Sequence, residues 1–464
     1  EERDLISNPG PENWDQYGGW ASGPQLEATG YFRVEKHEGK WWLVDPEGRL
    51  FWSHGICVVG GVQTTTITDR EYMYSFLPPK DSPLGQFYEF TNTMRGYYKD
   101  YDSFEIYSYH QANMFRKYGQ DWLEKDKEQT FRRMRSWGLN TCAGWSNRDY
   151  YEMRQAPYTV SVSTGGSRII EGFGISEGRG FPDPFDPGFR QVLRETLAEE
   201  KGHSLGDPWC IGIFVDNELN WGWDGFSLTI GTLKSPATQP AKQEFINDLR
   251  TRYRTITSLN DEWGSDYSSF IALLEDTIPP DMKKAHGDLA TFYGKIADAY
   301  LGVCCQEVKR VAPDQLYFGC RFWSVNLAVA EAASKYCDAV SFNRYYYTID
   351  NFSLPGDIDM PLMFSEFHFG ALDRGMLHPS LRQTKDQNHR AQIYIQFIQS
   401  ALRNPNAIGT HWFQFRDQET TGRVGDGENY QLGFIDICDR PYEETIQACR
   451  EIGYGMYEYR FANH

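Results

Sequence analysis

Short apolar segments recur along this sequence, and amphipathic segments of helical length separate most of them. Eight apolar runs are strand-like, at residues 50–59, 139–145, 158–163, 210–219, 316–323, 339–345, 361–367 and 408–415. Helical patterns occupy residues 121–137, 187–201, 242–258, 287–311, 326–336 and 387–403. Strands that alternate with helices predict a parallel sheet, and strands buried on both faces are typically near-continuous apolar runs, as these are.

Eight strand–helix units after a lead-in predict an α/β protein with a single closed (β/α)8 TIM barrel, the alternative being an open doubly wound sheet. Two strand-like runs at residues 31–35 and 40–44 flank the turn His37-Glu38-Gly39, which predicts a β-hairpin. We therefore expect residues 1–49 to form an amino-terminal extension whose hairpin packs on the barrel, and residues 50–464 to form the barrel itself.

Three connections between the predicted elements are long, at residues 60–120, 220–241 and 416–433. They follow the first, fourth and eighth strands, so all three leave the carboxyl ends of strands. That end of a barrel is where active sites are built, and long loops there commonly form a cleft. The sequence therefore predicts a cleft at this face.

Charge and hydropathy exclude several kinds of partner. The chain has 46 Lys and Arg residues against 64 Asp and Glu residues, a formal net charge of −18. This excess argues against nucleic acid and against an anionic membrane surface. No apolar run reaches the roughly 18 residues of a membrane-spanning helix, and nothing indicates an obligate protein partner. The start, Glu1-Glu2-Arg3-Asp4, is not a signal peptide, so a signal was either never present or has been removed.

The cysteines and histidines predict neither disulfides nor a metal site. An odd number of cysteines, mostly inside apolar runs, is typical of buried free thiols. The nine are Cys57, Cys142, Cys210, Cys304, Cys305, Cys320, Cys337, Cys438 and Cys449. The ten histidines lack zinc-ligand spacing, so no metal or other cofactor is expected. Unpaired cysteines fit a cytoplasmic protein, whereas a removed signal would favour a secreted or periplasmic one.

Two of the strand-like runs end in a glutamate. The fourth run ends with Asn217-Glu218-Leu219, and the seventh ends with Glu366 just before Phe367. A carboxylate is costly inside a barrel core but useful at its mouth, where the tips of strands 4 and 7 face each other. Two facing carboxylates are what cleavage of a glycosidic bond requires. Either glutamate alone would suggest a salt bridge at a strand end, but together they predict a catalytic pair.

Other strand ends supply candidates for substrate binding. Asn217 precedes Glu218, and the sixth strand ends with Asn343 and Tyr345, whose hydroxyl could hydrogen-bond Glu366 and keep it ionised. Three tryptophans could each offer a flat apolar face to a sugar ring, although for any one of them core packing is the commoner role. They are Trp412, Trp145 and Trp323, at the ends of strands 8, 2 and 5.

Four stretches resemble the β-agarases of glycoside hydrolase family 50, namely WASGPQLEATG at 20–30, GKWWLVDPEG at 39–48, FPDPFDP at 181–187 and GIFVDNEL at 212–219. The placement of Asn217-Glu218 and Glu366 also resembles the wider clan A of retaining glycoside hydrolases. The resemblance implies hydrolysis of β-galactosidic linkages in agarose or related red-algal galactan oligosaccharides, from a chain end and without a cofactor. It implies that Glu218 is the acid/base and Glu366 the nucleophile.

Two alternatives remain at this point. One is a β-galactosidase that acts on carrageenan- or porphyran-derived oligosaccharides, because the glutamate motifs serve bond cleavage and do not report ring substituents. The other is a non-catalytic sugar-binding barrel, which would need one carboxylate absent or misdirected. Members of the family often carry an additional amino-terminal carbohydrate-binding domain. In this sequence the resemblance begins near Trp14, and the few residues before it leave no room for such a domain. Without one, we expect a preference for short oligosaccharides over long polymer.

Overall fold

A computed structural model describes residues 1–92, 96–176 and 179–462. Its strands are β1 Arg33–His37, β2 Lys40–Val44, β3 Leu50–Phe51, β4 Ser53–Ile56, β5 Thr65–Thr66, β6 Tyr88–Thr91, β7 Phe104–Tyr107, β8 Thr141–Cys142, β9 Tyr158–Val162, β10 Ile175–Ser176, β11 Arg179–Gly180, β12 Cys210–Val215, β13 Leu316–Tyr317, β14 Val340–Asn343, β15 Leu362–Phe367 and β16 Ala407–Trp412. Its helices are α1 Glu2–Ser7, α2 Tyr109–Tyr118, α3 Trp122–Trp137, α4 Arg148–Tyr151, α5 Pro187–Glu199, α6 Ser227–Lys234, α7 Pro240–Tyr253, α8 Ile256–Trp263, α9 Phe270–Glu275, α10 Met282–Val311, α11 Leu327–Tyr336, α12 Gln387–Arg403 and α13 Glu443–Ala462.

Eight parallel strands form the central sheet, in the order β13-β12-β9-β8-β4-β16-β15-β14. A parallel bridge between Phe322, which follows β13, and Phe342 in β14 joins the two ends of this order. The backbone N–H of Phe322 donates to the carbonyl of Ser341 at 2.9 Å, and that of Asn343 donates to the carbonyl of Phe322 at 3.0 Å. The sheet therefore closes on itself, and the predicted (β/α)8 barrel is confirmed.

The strands and helices follow from the apolar pattern. Every residue of β12, β15 and β16 is buried, as expected for strands enclosed between a barrel interior and a layer of helices. Helix α5 begins at Pro187, and Asp186 caps it by accepting the backbone N–H of Gly188 at 2.7 Å. The predicted helix at 242–258 is two helices, α7 and α8, with Arg254 at positive φ between them.

The amino-terminal hairpin closes the bottom of the barrel. Strands β1 and β2 pair around a two-residue turn in which Glu38 and Gly39 both have positive φ. Leu43 packs against residues at the amino ends of the barrel strands, including Ile211, Leu316 and Ile408. The hairpin predicted from the sequence is therefore present.

Three parts of the fold differ from the predicted pattern. Residues Leu50 and Phe51, assigned to the first barrel strand, instead form β3 and pair with β2, and the barrel strand begins at Ser53. The predicted connection 60–120 contains a small antiparallel sheet, β5-β7-β6, and helix α2. Residues 93–95 of that connection lie outside the described residues. The carboxyl-terminal helix α13, which was not predicted, packs on α12 and α3.

All nine cysteines are free thiols, as predicted; Cys438 is exposed, Cys305 is half-buried, and the other seven are buried. In the described part of the chain, no helix has the length and apolar character to cross a bilayer. Across the same residues, no three His, Cys, Asp or Glu side chains converge as they would around a metal ion.

Candidate active site

A cavity of about 1020 Å³ opens at the carboxyl ends of the barrel strands. Three segments of its wall come from residues 62–64, 220–223 and 419–430, which belong to the connections after β4, β12 and β16. The expectation that these three connections form one cleft is therefore confirmed. Tyr97, which is exposed on the first of them, does not line the cavity.

Glu366 lies in β15 and is 5% exposed, facing the cavity. Three donors surround its carboxylate. Arg321 Nη2 donates to Oε1 at 2.5 Å, Trp145 Nε1 donates to Oε1 at 3.2 Å, and the hydroxyl of Tyr345 donates to Oε2 at 2.5 Å. Donors of this kind favour the ionised form of a carboxyl group. Glu366 is therefore held in place at the mouth of the barrel by three donors, one of them a guanidinium.

Glu218 follows the end of β12 and lines the same cavity. Its backbone is in the left-handed region, with a φ of 52°, and its N–H donates to the carbonyl of Cys320 at 3.1 Å. The side chain is half-buried, and its Oε1 accepts a hydrogen bond from Asn343 Nδ2 at 2.8 Å. Strand β12 lies three strands from β15 around the barrel, so the two glutamates approach the cavity from different sides.

A buried arginine connects the surroundings of the two glutamates. Arg321 donates from Nε to the side-chain oxygen of Asn217 at 3.0 Å, while its Nη2 contacts Glu366 and the carbonyl of Ser365. Burial alone would lower the pKa of this guanidinium, but the charge of Glu366 outweighs that effect and raises it. Arg321 was not among the residues predicted from the sequence, although a single charged residue inside the apolar run 316–323 was a usable signal.

Two of the predicted tryptophans reach the cavity. Trp145 and Trp323 line it and are 44% and 42% exposed. The guanidinium of Arg321 lies 5.3 Å from the ring centre of Trp145, and the rings of Trp323 and Tyr345 are 5.8 Å apart. Asn217 and Tyr345 also line the cavity. The structure therefore brings these four predicted residues to one cavity.

Trp412 does not reach the cavity, which corrects its prediction as a sugar-binding residue. Successive side chains of a strand point to opposite faces, and Trp412 points to the helix layer, where its ring lies 5.5 Å from that of Tyr394 in α12. Its side chain is fully buried, and Nε1 donates to the carbonyl of Leu432 at 2.7 Å. The neighbouring Phe413 lines the cavity instead.

Asn343 is also displaced from its predicted role as a substrate-binding residue. It is fully buried and does not line the cavity. Its amide contacts Glu218 and Asn217, and its side-chain oxygen accepts the hydroxyl of Ser365 at 2.9 Å. Asn343 therefore supports a predicted catalytic residue and is shielded from a ligand in the cavity.

His368 lines the cavity but is not suited to acid–base chemistry. Burial lowers its pKa to about 3, so the ring is neutral at physiological pH. One ring nitrogen, Nδ1, lies 3.0 Å from the carbonyl of Phe413, and the other, Nε2, accepts the backbone N–H of Leu381 at 3.2 Å. Because both nitrogens are occupied, His368 is a neutral part of the wall.

The connection after β16 adds charged side chains that the sequence analysis did not assign to the site. Arg423 Nη2 donates to Asp426 at 2.5 Å and to Glu428 at 2.9 Å. Burial raises the pKa of Glu419 to about 8. Among the described residues, the ionisable acidic and basic groups that line the cavity, the neutral His368 aside, are one guanidinium and five carboxyl groups, namely Arg423, Glu218, Glu366, Glu419, Asp426 and Glu428.

Comparison with known proteins finds relatives among the β-agarases. No protein-family model matches the chain. β-Agarase B and β-agarase A of Vibrio sp. (strain JT0107) are 32% and 30% identical to it, over 96% and 90% of this chain. The matches cover 50% and 45% of those proteins, so the chain spans about half the length of the curated relatives it matches.

Several solved structures share both the fold and a third of the sequence. An exo-β-agarase is 31% identical with a TM-score of 0.92, and the match covers 99% of this chain and 70% of that one. The agarase AgWH50C is 34% identical with a TM-score of 0.90, over 99% and 69% of the two chains. PfGH50B is 33% identical with a TM-score of 0.90, over 99% and 72%.

Proposed function

The chain belongs to glycoside hydrolase family 50, the β-agarases, and from this premise we propose that it is a retaining glycoside hydrolase. Its substrates are agarose or related red-algal galactan oligosaccharides, which it cleaves at β-galactosidic linkages. One observation carries the proposal, namely that Glu218 and Glu366 line the same cavity at the mouth of the barrel. Glycosidic cleavage needs one carboxyl group as a proton donor and a second as a nucleophile or base.

The surroundings of each glutamate support its role. Glu366 accepts three hydrogen bonds and therefore suits the ionised nucleophile, which attacks the anomeric carbon while the glycosidic bond breaks. Glu218 gives its proton to the departing glycosidic oxygen. In the second step Glu218 takes a proton from water, whose oxygen displaces Glu366 from the anomeric carbon. One water is consumed, and both carboxyl groups return to their initial states.

Trp145, Trp323 and Asn217 are proposed to hold the sugar. Trp145 and Trp323 present partly exposed rings to the cavity, where the C–H face of a pyranose can pack on them. Asn217 lies beside Glu218 and offers polar contacts to hydroxyl groups of the same sugar unit. Binding of this kind needs no cofactor and no protein partner.

The charge of the cavity favours uncharged galactans over sulfated ones. Five carboxyl groups line it together with a single guanidinium, that of Arg423, which is already paired with Asp426 and Glu428. Glu419, whose pKa burial raises to about 8, is largely uncharged at neutral pH. A sulfate ester would still meet the ionised members of this set without a free cationic partner, and like charges in a partly buried site repel strongly. We therefore place neutral agarose-type oligosaccharides ahead of carrageenan- or porphyran-type ones.

Cleavage from a chain end is proposed because loops wall the cavity. Residues from three connections surround the two glutamates, which suits the end of a chain better than its middle. The similar exo-β-agarase, 31% identical, supports the same choice.

The test is a digestion of size-defined neutral and sulfated galactan oligosaccharides, with products followed by mass spectrometry over time. We expect short products of one size to be released from the neutral series from the first minutes. A random mixture of intermediate lengths would contradict exo action. Hydrolysis of the sulfated series alone, or of neither series, would contradict the proposed substrate.

A further inference from the structure

Three side chains, joined by four hydrogen bonds, form a continuous chain between the two glutamates. Glu366 contacts Arg321, Arg321 contacts Asn217, Asn217 contacts Asn343, and Asn343 contacts Glu218. The heavy-atom distances along it are 2.5, 3.0, 3.1 and 2.8 Å. Arg321 and Asn343 are fully buried, so water does not compete with these contacts at either residue.

The direction of each hydrogen bond follows from the arginine. A guanidinium group only donates, so the atom of Asn217 that faces Arg321 must be its side-chain oxygen. The same oxygen faces Asn343, and therefore the atom of Asn343 at that contact is its amide nitrogen. This nitrogen also lies 2.8 Å from Oε1 of Glu218. The orientation of an amide is otherwise ambiguous, but here the arginine fixes it.

A second contact holds the amide of Asn343 in this orientation. Its oxygen accepts the hydroxyl of Ser365, the residue next to Glu366 in β15. Both ends of the amide are therefore committed, and a flip would place the oxygen against two acceptors. Glu218 consequently faces an N–H donor that cannot take a proton from it.

We propose that Asn343 is a positioning residue that reserves Oε1 of Glu218 as a hydrogen-bond acceptor, so that the transferable proton resides on Oε2. This proposal rests on the proposed function, in which Glu218 is the acid/base. Protonation of Oε1 would weaken its hydrogen bond, because a hydroxyl oxygen is a poorer acceptor than a carboxylate oxygen. The proton therefore leaves from Oε2 to the glycosidic oxygen, and in the second step it returns from water to Oε2.

The donor also favours ionised Glu218 over protonated Glu218. The ionised form is needed when Glu218 removes a proton from water, and the protonated form is needed when it acts as an acid. Asn343 thereby limits the highest pH at which the acid form is present. The alkaline limb of kcat/KM, which reports the acid group of the free enzyme, is the quantity that this residue sets.

Two substitutions test the role and keep the branched shape of the side chain. Asn343→Leu removes the donor, although its two methyl groups are bulkier than the amide. Asn343→Asp is close to the same size and replaces the donor with a second carboxyl group beside Glu218. Thr410→Val is the matched control. Thr410 is also fully buried in a barrel strand, and its hydroxyl has no hydrogen-bond partner among the described residues.

The measurement is the pH profile of kcat/KM, with kcat and KM separately, on a neutral agar hexasaccharide. For Asn343→Leu we expect the alkaline limb to move up by about one pH unit, because a hydrogen bond to a charged group is lost. For Asn343→Asp the upward movement is larger, because a like charge opposes ionisation. In both variants kcat falls about 10- to 100-fold from misplacement of the carboxyl group, while KM changes less than threefold.

The control and the wild type separate the possible failures. We expect Thr410→Val to keep the wild-type kcat and the wild-type alkaline limb of kcat/KM. A fall in kcat with an unmoved alkaline limb in both Asn343 variants would overturn the proposal, because a merely structural role gives that result. If one Asn343 variant does not fold, the alkaline limb of kcat/KM of the other variant decides whether the proposal holds. A folded wild type that fails to cleave the hexasaccharide contradicts the proposed function instead, and thereby the premise of this inference.

Discussion

Three hydrogen-bond donors converge on Glu366, and two of them, Arg321 and Tyr345, are themselves fixed by other contacts. Arg321 also binds Asn217 and the carbonyl of Ser365, and Tyr345 is buried against the ring of His368 at 4.6 Å. Burial raises the pKa of Tyr345 well above its ordinary value, and the charge of Glu366 adds to this. The tyrosine therefore stays a donor across the working pH range. A carboxylate surrounded by such donors is pre-organised to carry negative charge before the substrate arrives.

The first prediction concerns the two glutamates. Glu218→Gln and Glu366→Gln keep the shape of the side chain but remove the proton donor and the nucleophile, so we expect each to reduce kcat by at least about 1,000-fold. Steady-state hydrolysis of a neutral agar oligosaccharide measures the loss, and circular dichroism shows whether the variants are folded. Retention of a tenth of the normal turnover by either folded variant would contradict its assigned role.

The second prediction concerns Tyr345. Tyr345→Phe removes the hydroxyl group that donates to Oε2 of Glu366 and leaves the rest of the side chain unchanged. We expect kcat to fall about 10- to 100-fold, since hydrogen bonds to charged groups contribute about 1.5–3 kcal/mol. Tyr347→Phe is the control, because the hydroxyl of Tyr347 donates to the backbone carbonyl of Gln383 and does not reach the glutamates. Equal losses in the two variants would argue against a specific role for Tyr345.

Some site residues can be predicted from the sequence, and others depend on side-chain direction. Glu218 and Glu366 stand out because they are carboxylates at the ends of apolar runs. Trp412 and Asn343 were misassigned because, in a strand buried on both faces, the pattern does not reveal which residues point inward. Arg321 was missed because a cation inside a barrel needs a partner that lies 45 residues away in sequence.

At the scale of secondary structure, the strands deliver the chemistry and the connections shape the cavity. The apolar runs located all eight barrel strands, but the observed strands are shorter than the runs, because several run ends continue into loops at the cavity. Helix α13 and the small sheet β5-β7-β6 were not predicted. The buried residues of α13 include Thr445, Arg450 and Arg460, so its buried face carries polar groups that obscure the helical pattern.

The third prediction concerns the connection after β16. Replacing both Asp426 and Glu428, as Asp426→Asn with Glu428→Gln, removes two negative charges and leaves Arg423 without its two partners. We expect the ratio of kcat/KM for neutral over sulfated oligosaccharides to fall by about tenfold, because an attractive cation replaces a repulsive cluster.

This prediction has two controls, a change in ionic strength and the neutralisation of two carboxylates outside the cavity. Salt at about 1 M screens exposed charges. It should therefore lower the ratio of kcat/KM for neutral over sulfated oligosaccharides more in the wild type than in the double variant. Neutralising the exposed Glu124 and Glu128 of α3 should leave the ratio unchanged. An unaltered ratio in the loop variant would show that the cluster does not govern discrimination.

Over the whole molecule, buried ion pairs join the carboxyl-terminal region to the barrel. Asp439 accepts from Arg133 of α3 at 2.9 Å and from Arg416 at 2.7 Å. Arg416 also lies 3.4 Å from Asp126, which receives the hydroxyl of Tyr150 at 2.5 Å. The barrel class followed from the regular alternation of apolar runs and helices. The ion pairs could not be predicted in the same way, because residues so distant in sequence leave no periodic pattern.

The fourth prediction follows from Asp126. Burial alone would raise its pKa, but hydrogen bonding to His110 and the charge of Arg416 outweigh burial and lower it to about 2. A carboxyl group with a lowered pKa in the folded state stabilises the fold above its unfolded pKa, and this stability is lost as the pH falls from about 4 to about 2. We expect Asp126 to account for a loss of about 2 kcal/mol in the free energy of unfolding over that window.

Urea denaturation at pH 7 and pH 2 measures this loss. Asp126→Asn is less stable at pH 7 and depends less on pH, whereas Asp314→Asn, at an exposed position, behaves as the wild type. If Asp126→Asn retained the full wild-type loss of stability between the two pH values, Asp126 would not be its source.

The stereochemistry of the first product tests the central claim most directly, because it reports bond cleavage and the roles of both glutamates together. A neutral agar hexasaccharide is mixed with the enzyme, and proton NMR follows the anomeric signals in the first minutes, before mutarotation. Retention requires two carboxyl groups about 5–5.5 Å apart and a covalent glycosyl-enzyme. We predict that the β anomer of the newly formed reducing end appears first and that Glu366→Gln releases none. An α anomer that appears first would contradict retention, and with it the assignment of Glu366 as the nucleophile.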